Sequence, residues 1–389
     1  MRIQSIEFLR KKCSAIIERG FQKRLLSVDA AGDKAFLNSF PEPADSLERS
    51  YFQYLCQRRQ TPVFIRVVQN GLAAVLWPFY YFRPCGSARP FSPAKGRAVY
   101  LSDGIGQEII PLSLRTRYPD ILTSGYREGA VWAETEKNFM RELVSRYGGS
   151  PFFCLKALLK IRLYAHCIRA ANAEALIVYG EFSFTSSLLT GYCRSVNVRH
   201  INVQHGEKFF TIRDAYAEYD EFVVWDAYYR KLFDELKAPA ETLRVELPEG
   251  FLQLEAAAKK EAGEIDFTYY LGGESEKDLM RIADALGQLA AAGWRVSVRP
   301  HPRWSDDRTI AALFGRFEIE DVRAVTVEES ILRTKNAVSG YSTVLFQAWF
   351  AGRTAILDDV SNARRFEQIR ERGYILFEKP HKLLSQILL

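Results

Sequence analysis

The chain has 389 residues, 48% of them hydrophobic and 26% charged, enough for two domains with separate cores. Its net charge of +6 is mild for a nucleic-acid binder, so no nucleic acid partner is expected; an anionic substrate or an anionic membrane surface suits it better. The six cysteines (Cys13, Cys56, Cys85, Cys154, Cys167, Cys193) stand apart with no CxxC pair. Neither a metal site nor a disulfide framework is expected of them, and reduced thiols in the cytoplasm are.

At the amino end, Ile3, Ile6, Leu9, Cys13, Ile16 and Ile17 recur at three- and four-residue steps. Arg2, Arg10, Lys11, Lys12, Arg19, Lys23 and Arg24 are set against only Glu7 and Glu18. The spacing predicts a basic amphipathic helix over 1–27. Two fates fit it: to lie peripherally at an anionic membrane surface, or to pack its stripe on the first domain. No apolar core of a secretory signal is visible. The longest uncharged stretch, VVQNGLAAVLWPFYYF (67–82), is shorter than the ~20 residues of a spanning helix and contains Gln69, Asn70 and Pro78, so no span is expected there.

From Ala98 onward, short apolar runs alternate with helical ones. AVYLSDG (98–104), ALIVYGE (175–181), RHINVQHG (199–206) and EFVVWD (221–226) read as strands. ETEKNFMRELVSRYG and PFFCLKALLKIRLYAHCIRAAN read as helices between them. Such βαβ alternation implies a parallel sheet covered on both faces. The polar stretch LQLEAAAKKEAGEID (252–266) reads as a connector, after which the pattern restarts. FTYYLGG (267–273), RVSVRPHPR (295–303), NAVSGY (336–341) and RTAILDDV (353–360) read as strands, EKDLMRIADALGQLAAAG and STVLFQAWFAG as helices. The expected fold class is α/β, with a basic helical extension (1–97), a Rossmann-like acceptor domain (98–251), the connector (252–266) and a Rossmann-like nucleotide-binding domain (267–389). Ligands are expected in a central cleft lined by the strand ends.

Three motifs in the second half fall at strand ends. In LGGE (271–274), Gly272 and Gly273 either let backbone amides approach a ligand or form an ordinary turn. In VRPHPR (298–303), His301 sits between Arg299 and Arg303, a positive knot suited to a phosphate. In SGYST (339–343), Ser339 closes a strand, and Ser342 and Thr343 open a helix whose first turn attracts an anion. No GxGxxG or Walker sequence appears. The first half offers Asp103 in SDG, Glu181 in YGE, and His205 and Glu207 in QHGE. A transfer to a hydroxyl needs one of these as general base.

RPHPR followed about forty residues later by SGYST resembles the HP and Ser/Ser-Thr motif pair of bacterial glycosyltransferases that use cytidine-activated sugars. These are the sialyl-, polysialyl- and Kdo-transferases of capsule and lipooligosaccharide assembly. The pair also resembles that of the polyol-phosphate transferases of teichoic acid synthesis, which carry an upstream HG histidine where QHG stands here. The resemblance implies a GT-B fold of two Rossmann-like domains, with His301, Ser342 and Thr343 on the cytidylate phosphate. It further implies a nucleotide-sugar donor, a glycan or glycolipid acceptor at the inner face of the cytoplasmic membrane, and no metal or other cofactor. The family's acidic base motif is matched only in part by SDG (102–104), while QHGE stands at about its place. The competing expectations are a CDP-polyol phosphotransferase, a nucleotide-sugar epimerase and a non-catalytic member of a glycan assembly complex.

Overall fold

The computed structural model describes residues 29–82, 91–125, 133–180 and 182–388. The amphipathic stretch 1–27 and Glu181 lie outside the described residues. The chain folds as two compact units, Ala31–Gly206 with Phe210–Glu249, and Gly250–Leu389 with Glu207–Phe209.

The first unit begins with three helices, α1 (Ala30–Asn38), α2 (Ser46–Gln60) and α3 (Val63–Tyr81). Asp45 caps α2 by accepting from the Glu48 amide at 2.8 Å, which satisfies one of the free amides of its first turn. Residues 31–82 and 91–97 thus belong to this unit and not to a separate extension. The Gln53 and Gln57 amides of α2 donate to the backbone oxygens of Phe182 and Arg213, pinning two loops of the same unit.

Next come β1 (Ala94–Leu101), α4 (Leu112–Arg117), β2 (Asp120–Ser124), α5 (Glu134–Tyr147) and α6 (Pro151–Ala171). They are followed by β3 (Ala173–Tyr179), α7 (Ser186–Ser195), β4 (Arg199–Val203), β5 (Glu221–Val224), α8 (Ala227–Glu235) and β6 (Leu243–Val245). Their strands form one parallel sheet in the order β2-β1-β3-β4-β5-β6. Ala98, Tyr100, Ile177, Ile201 and Val223 pack at its centre. These apolar runs become strands because β-branched and aromatic side chains fill a sheet buried on both faces.

The second unit contains α9 (Glu249–Ala258), β7 (Ile265–Tyr270), α10 (Glu276–Ala291), β8 (Val296–Arg299), α11 (Asp307–Phe314), β9 (Glu318–Ile319) and α12 (Val327–Arg333). It ends with β10 (Thr334–Ser339), α13 (Thr343–Phe350), β11 (Thr354–Leu357), α14 (Ala363–Glu371) and β12 (Lys382–Leu383). Its sheet is also parallel, in the order β12-β11-β10-β7-β8-β9. Counted from β7, that is the doubly wound Rossmann order, with the switch point between β7 and β10. The expected class, α/β with two Rossmann-like domains, is the observed one.

The first half of the stretch expected to be a connector, 252–258, is helix. Phe251, Leu254 and Ala258 fall on one face of α9 and are buried, with the Phe251 ring against Phe346 and Phe350. Three apolar residues at helical spacing outweigh the polar residues between them.

Candidate functional site

At the switch point of the second unit, Ser339 ends β10 fully buried, its hydroxyl donating 2.8 Å to the Tyr270 carbonyl at the end of β7. Ser339 therefore stitches the two strands together and is not offered to a ligand. Three residues on, Ser342 caps α13: its Oγ accepts from the Val344 amide at 3.2 Å. The Tyr374 hydroxyl donates 2.8 Å to the Ser342 carbonyl, fixing the turn that aims the first amides of α13. Burial and the neighbouring Glu207 carboxylate hold the Tyr374 proton well above its usual range, so this clamp stays neutral.

His301 follows β8 in the turn after Pro300. Its Nδ1 accepts from the Arg303 amide at 3.0 Å, and its own amide donates to Ser305 Oγ at 2.8 Å. A ring nitrogen that accepts carries no proton, so the neutral tautomer bears its hydrogen on Nε2. Burial, aided by Arg303, lowers its pKa to about 4. The positive knot expected of RPHPR is therefore a neutral donor beside one exposed arginine, Arg303.

Arg299 does not belong to that knot. It is buried, with its guanidinium 2.9 Å from Glu320 and a second bond of 2.9 Å to the Val325 carbonyl. As the last residue of β8 it faces the segment after β9, where an unpaired charge would be costly. Gly272 is a second correction. Its amide is held by both oxygens of Glu274, at 3.0 and 2.7 Å, so the motif's own carboxylate occupies the expected anion cradle. Gly273 is exposed on the same turn.

Beside this turn lies a pocket lined by Tyr269, Glu274, Gly340, Asp358, Arg365 and Phe366. Asp358 is buried and accepts from the Tyr269 hydroxyl at 2.7 Å and from the Val360 and Ser361 amides at 2.9 Å each. Burial raises the Glu274 pKa against the opposing pull of Arg365. The Arg365 guanidinium lies 4.7 Å from the centre of the Tyr341 ring, and its Nε has no hydrogen-bond partner among the described residues. Arg365 was not singled out from the sequence, although a signal exists. SNARRF places two arginines in the first turn of α14, where the helix dipole disfavours cations.

In the first unit the switch point lies between β1 and β3. Asp103 follows β1 and is exposed, its amide 3.5 Å from the Tyr179 hydroxyl. The Tyr179 ring meets the His205 ring edge-on at 5.0 Å. Gly180 turns between them with φ +62°, a conformation that side chains disfavour, and a Cβ there would sit 3.8 Å from His205 Nδ1. The structure thus gathers Asp103 and His205 around Tyr179, a residue that sequence reasoning passed over.

QHGE divides its work. Gln204 is buried and bonds Gly206 and Trp225 on either side, which fixes the turn. His205 is exposed at the strand end. Glu207 belongs with the second unit: its amide donates 3.1 Å to Thr343 Oγ1, and its carboxylate acts on Tyr374. Thr343 is therefore engaged by the chain itself. Among the described residues, no cluster of three His, Cys, Asp or Glu side chains could hold a metal ion.

No protein-family model matches the chain, and no curated protein matches it. Among solved structures it is similar to the Methanocaldococcus jannaschii UDP-GlcNAc 2-epimerase in complex with UDP-GlcNAc and UDP. The identity is 12%, covering 75% of this chain and 90% of that one, with a TM-score of 0.48. It is also similar to the putative UDP-N-acetylglucosamine 2-epimerase from Listeria monocytogenes, at 11% identity over 71% and 82% of the two chains and a TM-score of 0.45. The wall teichoic acid polymerase TagF is similar at 10% identity, over 84% of this chain and 88% of that one, with a TM-score of 0.46. The Rossmann-like architecture rests on this chain's own sheet order.

Proposed function

We propose that the protein is a glycosyltransferase that moves a sugar from a cytidine-activated donor to a hydroxyl of a growing cell-surface glycan. The observation that carries this reading is the capped helix start at Ser342 beside the second unit's switch point, with the neutral Nε2–H donor of His301 following β8 and the Arg365 guanidinium on α14 against the Tyr341 ring. Helix amides, a neutral donor and a guanidinium are what a leaving phosphate needs. The likeness of RPHPR and SGYST to the cytidine-sugar transferases supports cytidine as the base and a sialic-acid-like or Kdo-like sugar.

In this reading the acceptor hydroxyl attacks the anomeric carbon and its proton passes to a base on the first unit. The bond from that carbon to the phosphate oxygen breaks, and the nucleoside monophosphate leaves. His205 is our first choice of base and Asp103 the second; Glu181 remains a candidate from its place after β3. Because the phosphate charge is met by Arg365 and α13, we read the reaction as metal-independent, so chelator should leave the rate unchanged.

The test is a thermal-shift screen with CMP, CDP, UDP and GDP. A nucleotide at a hundred times its Kd should stabilise the fold by ~2.7 kcal/mol. We expect the cytidine nucleotides to do so in the parent and to do so less in Ser342→Ala. A shift with UDP alone would favour the epimerase reading, and no shift with any nucleotide would favour a non-catalytic member of an assembly complex.

A further inference from the structure

Helix α3 is built inside out. Its less exposed positions, Arg66, Gln69, Asn70, Ala73, Trp77 and Tyr80, recur at three- and four-residue steps and carry the helix's polar side chains. Only Ala73 is fully buried. This side lies along α6, where the Arg162 guanidinium sits 5.8 Å from the centre of the Tyr80 ring. The opposite side is apolar and open. Phe64 is 77% exposed, Val67 66%, Leu72 61%, Val75 63% and Phe79 72%. A helix that packs on a domain in water turns its apolar stripe inward. Here the arrangement is reversed, and a contiguous apolar face of this kind marks a contact surface.

The charge around that face identifies the contact. The one charged residue of α3 is Arg66, and the helix has no Asp or Glu. The supporting helix α6 carries Lys156, Lys160 and Arg162, again with no acidic residue, while its Arg169 is paired with Glu136 of α5. A second copy of the chain, presenting the same face, would set these cations against their like. An anionic bilayer surface offers both an apolar interior for the face and negative headgroups for its rim. By length and composition, α3 could also cross a membrane, contrary to the expectation for 67–82, because the helix begins at Val63. Its polar side is fastened to α6, however, and a helix held along a folded domain lies in the interface rather than through it.

We infer that α3 docks the protein on an anionic lipid surface, with its Val67–Val75 face in the headgroup–acyl boundary and the basic residues around it on the headgroups. The inference does not rest on the nucleotide reading. Full-length protein is sedimented with vesicles of equal parts phosphatidylglycerol and phosphatidylethanolamine, and with vesicles of phosphatidylcholine alone. The parent should bind the first, bind the second more weakly, and lose binding at high salt. The variant Val67→Ser/Leu72→Ser/Val75→Ser, changed only at outward positions, should lose tenfold or more of its partitioning while keeping the parent's thermal unfolding midpoint. Hydrogen exchange on the parent gives a second reading without substitution: vesicles should protect the amides of 63–82. Parent protein left in the supernatant, equal binding by the variant, or protection confined to residues outside 63–82 would each overturn the assignment. So would a parent dimer that the variant dissolves, which would make the face a contact between copies.

Discussion

The carboxyl ends of the two sheets are furnished in opposite ways. In the second unit almost every polar side chain there is engaged within the fold: Arg299 with Glu320, Ser339 with Tyr270, Asp358 with Tyr269, and Glu274 with the Gly272 amide. The groups left for a ligand are His301, Arg365 and the start of α13. In the first unit, Asp103 and His205 stand exposed around a tyrosine and a positive-φ glycine. A site preorganised by buried bonds binds a charged group without reorganising. A site of exposed titratable groups suits proton transfer to a partner that arrives from solution. In the proposed reading the donor phosphate goes to one sheet and the acceptor proton to the other.

The largest effect that would break this division lies in the first unit. His205→Ala should lower the transfer rate by about 10²–10⁴-fold while leaving the nucleotide thermal shift intact. Asp103→Asn should act in the same direction. A His205 variant that lost nucleotide binding instead would erase the contrast between the two sheet ends. On the other side of the comparison, Arg299→Met leaves Glu320 buried without its partner and should destabilise the fold by ~3–5 kcal/mol in denaturant titrations. Arg299→Met/Glu320→Leu should recover most of that loss, because the paired charges hold the strand end rather than a ligand. Arg365→Ala should do the reverse. Stability should fall far less than for Arg299, since Arg365 meets the fold through the Tyr341 ring and its pull on Glu274 while its Nε has no hydrogen-bond partner among the described residues, and affinity for the cytidine nucleotide should fall by ~1.5–3 kcal/mol in calorimetry.

How much of this could be read from the chain depended on whether the signal was local. The strands β1, β3, β4, β5, β7, β8, β10 and β11 were all legible, because each is an apolar run with a turn at its end. The edge strands β2, β6, β9 and β12 were not. They are two to five residues long, and pairing from one side alone defines them. His301, Ser342 and His205 were found at strand ends because Pro, Ser and Gly mark turns. Arg299 was misjudged because its partner Glu320 is 21 residues away, beyond any local pattern. Gly272 was misjudged because nothing local says that the next carboxylate will fold back on the amide. Arg365 and Tyr341 belong to elements that meet only in the folded sheet. The apolar face of α3 was visible as composition, yet its direction was not: only the packing shows that the polar side points inward.

The smallest expected effect concerns how firmly the fold keeps His301 neutral. Its folded pKa is about 4, against 6.5 for an ordinary histidine, because burial and then Arg303 disfavour the charged ring. Between those values the unfolded chain binds more protons at this position than the folded one, so stability rises with pH. The contribution is full above about pH 6.5 and is lost as the pH falls through that window toward 4. Glu274 works against it: a carboxyl whose pKa is raised in the fold binds its proton there more readily than in the unfolded chain. The parent's slope is therefore a sum, and the difference between parent and His301→Gln isolates the histidine. Unfolding midpoints measured from pH 7 to pH 4 should fall less steeply for His301→Gln than for the parent. Parallel curves would mean that the ring takes up its proton freely in the fold, and the neutral Nε2–H donor would then be lost as the pH approaches 6.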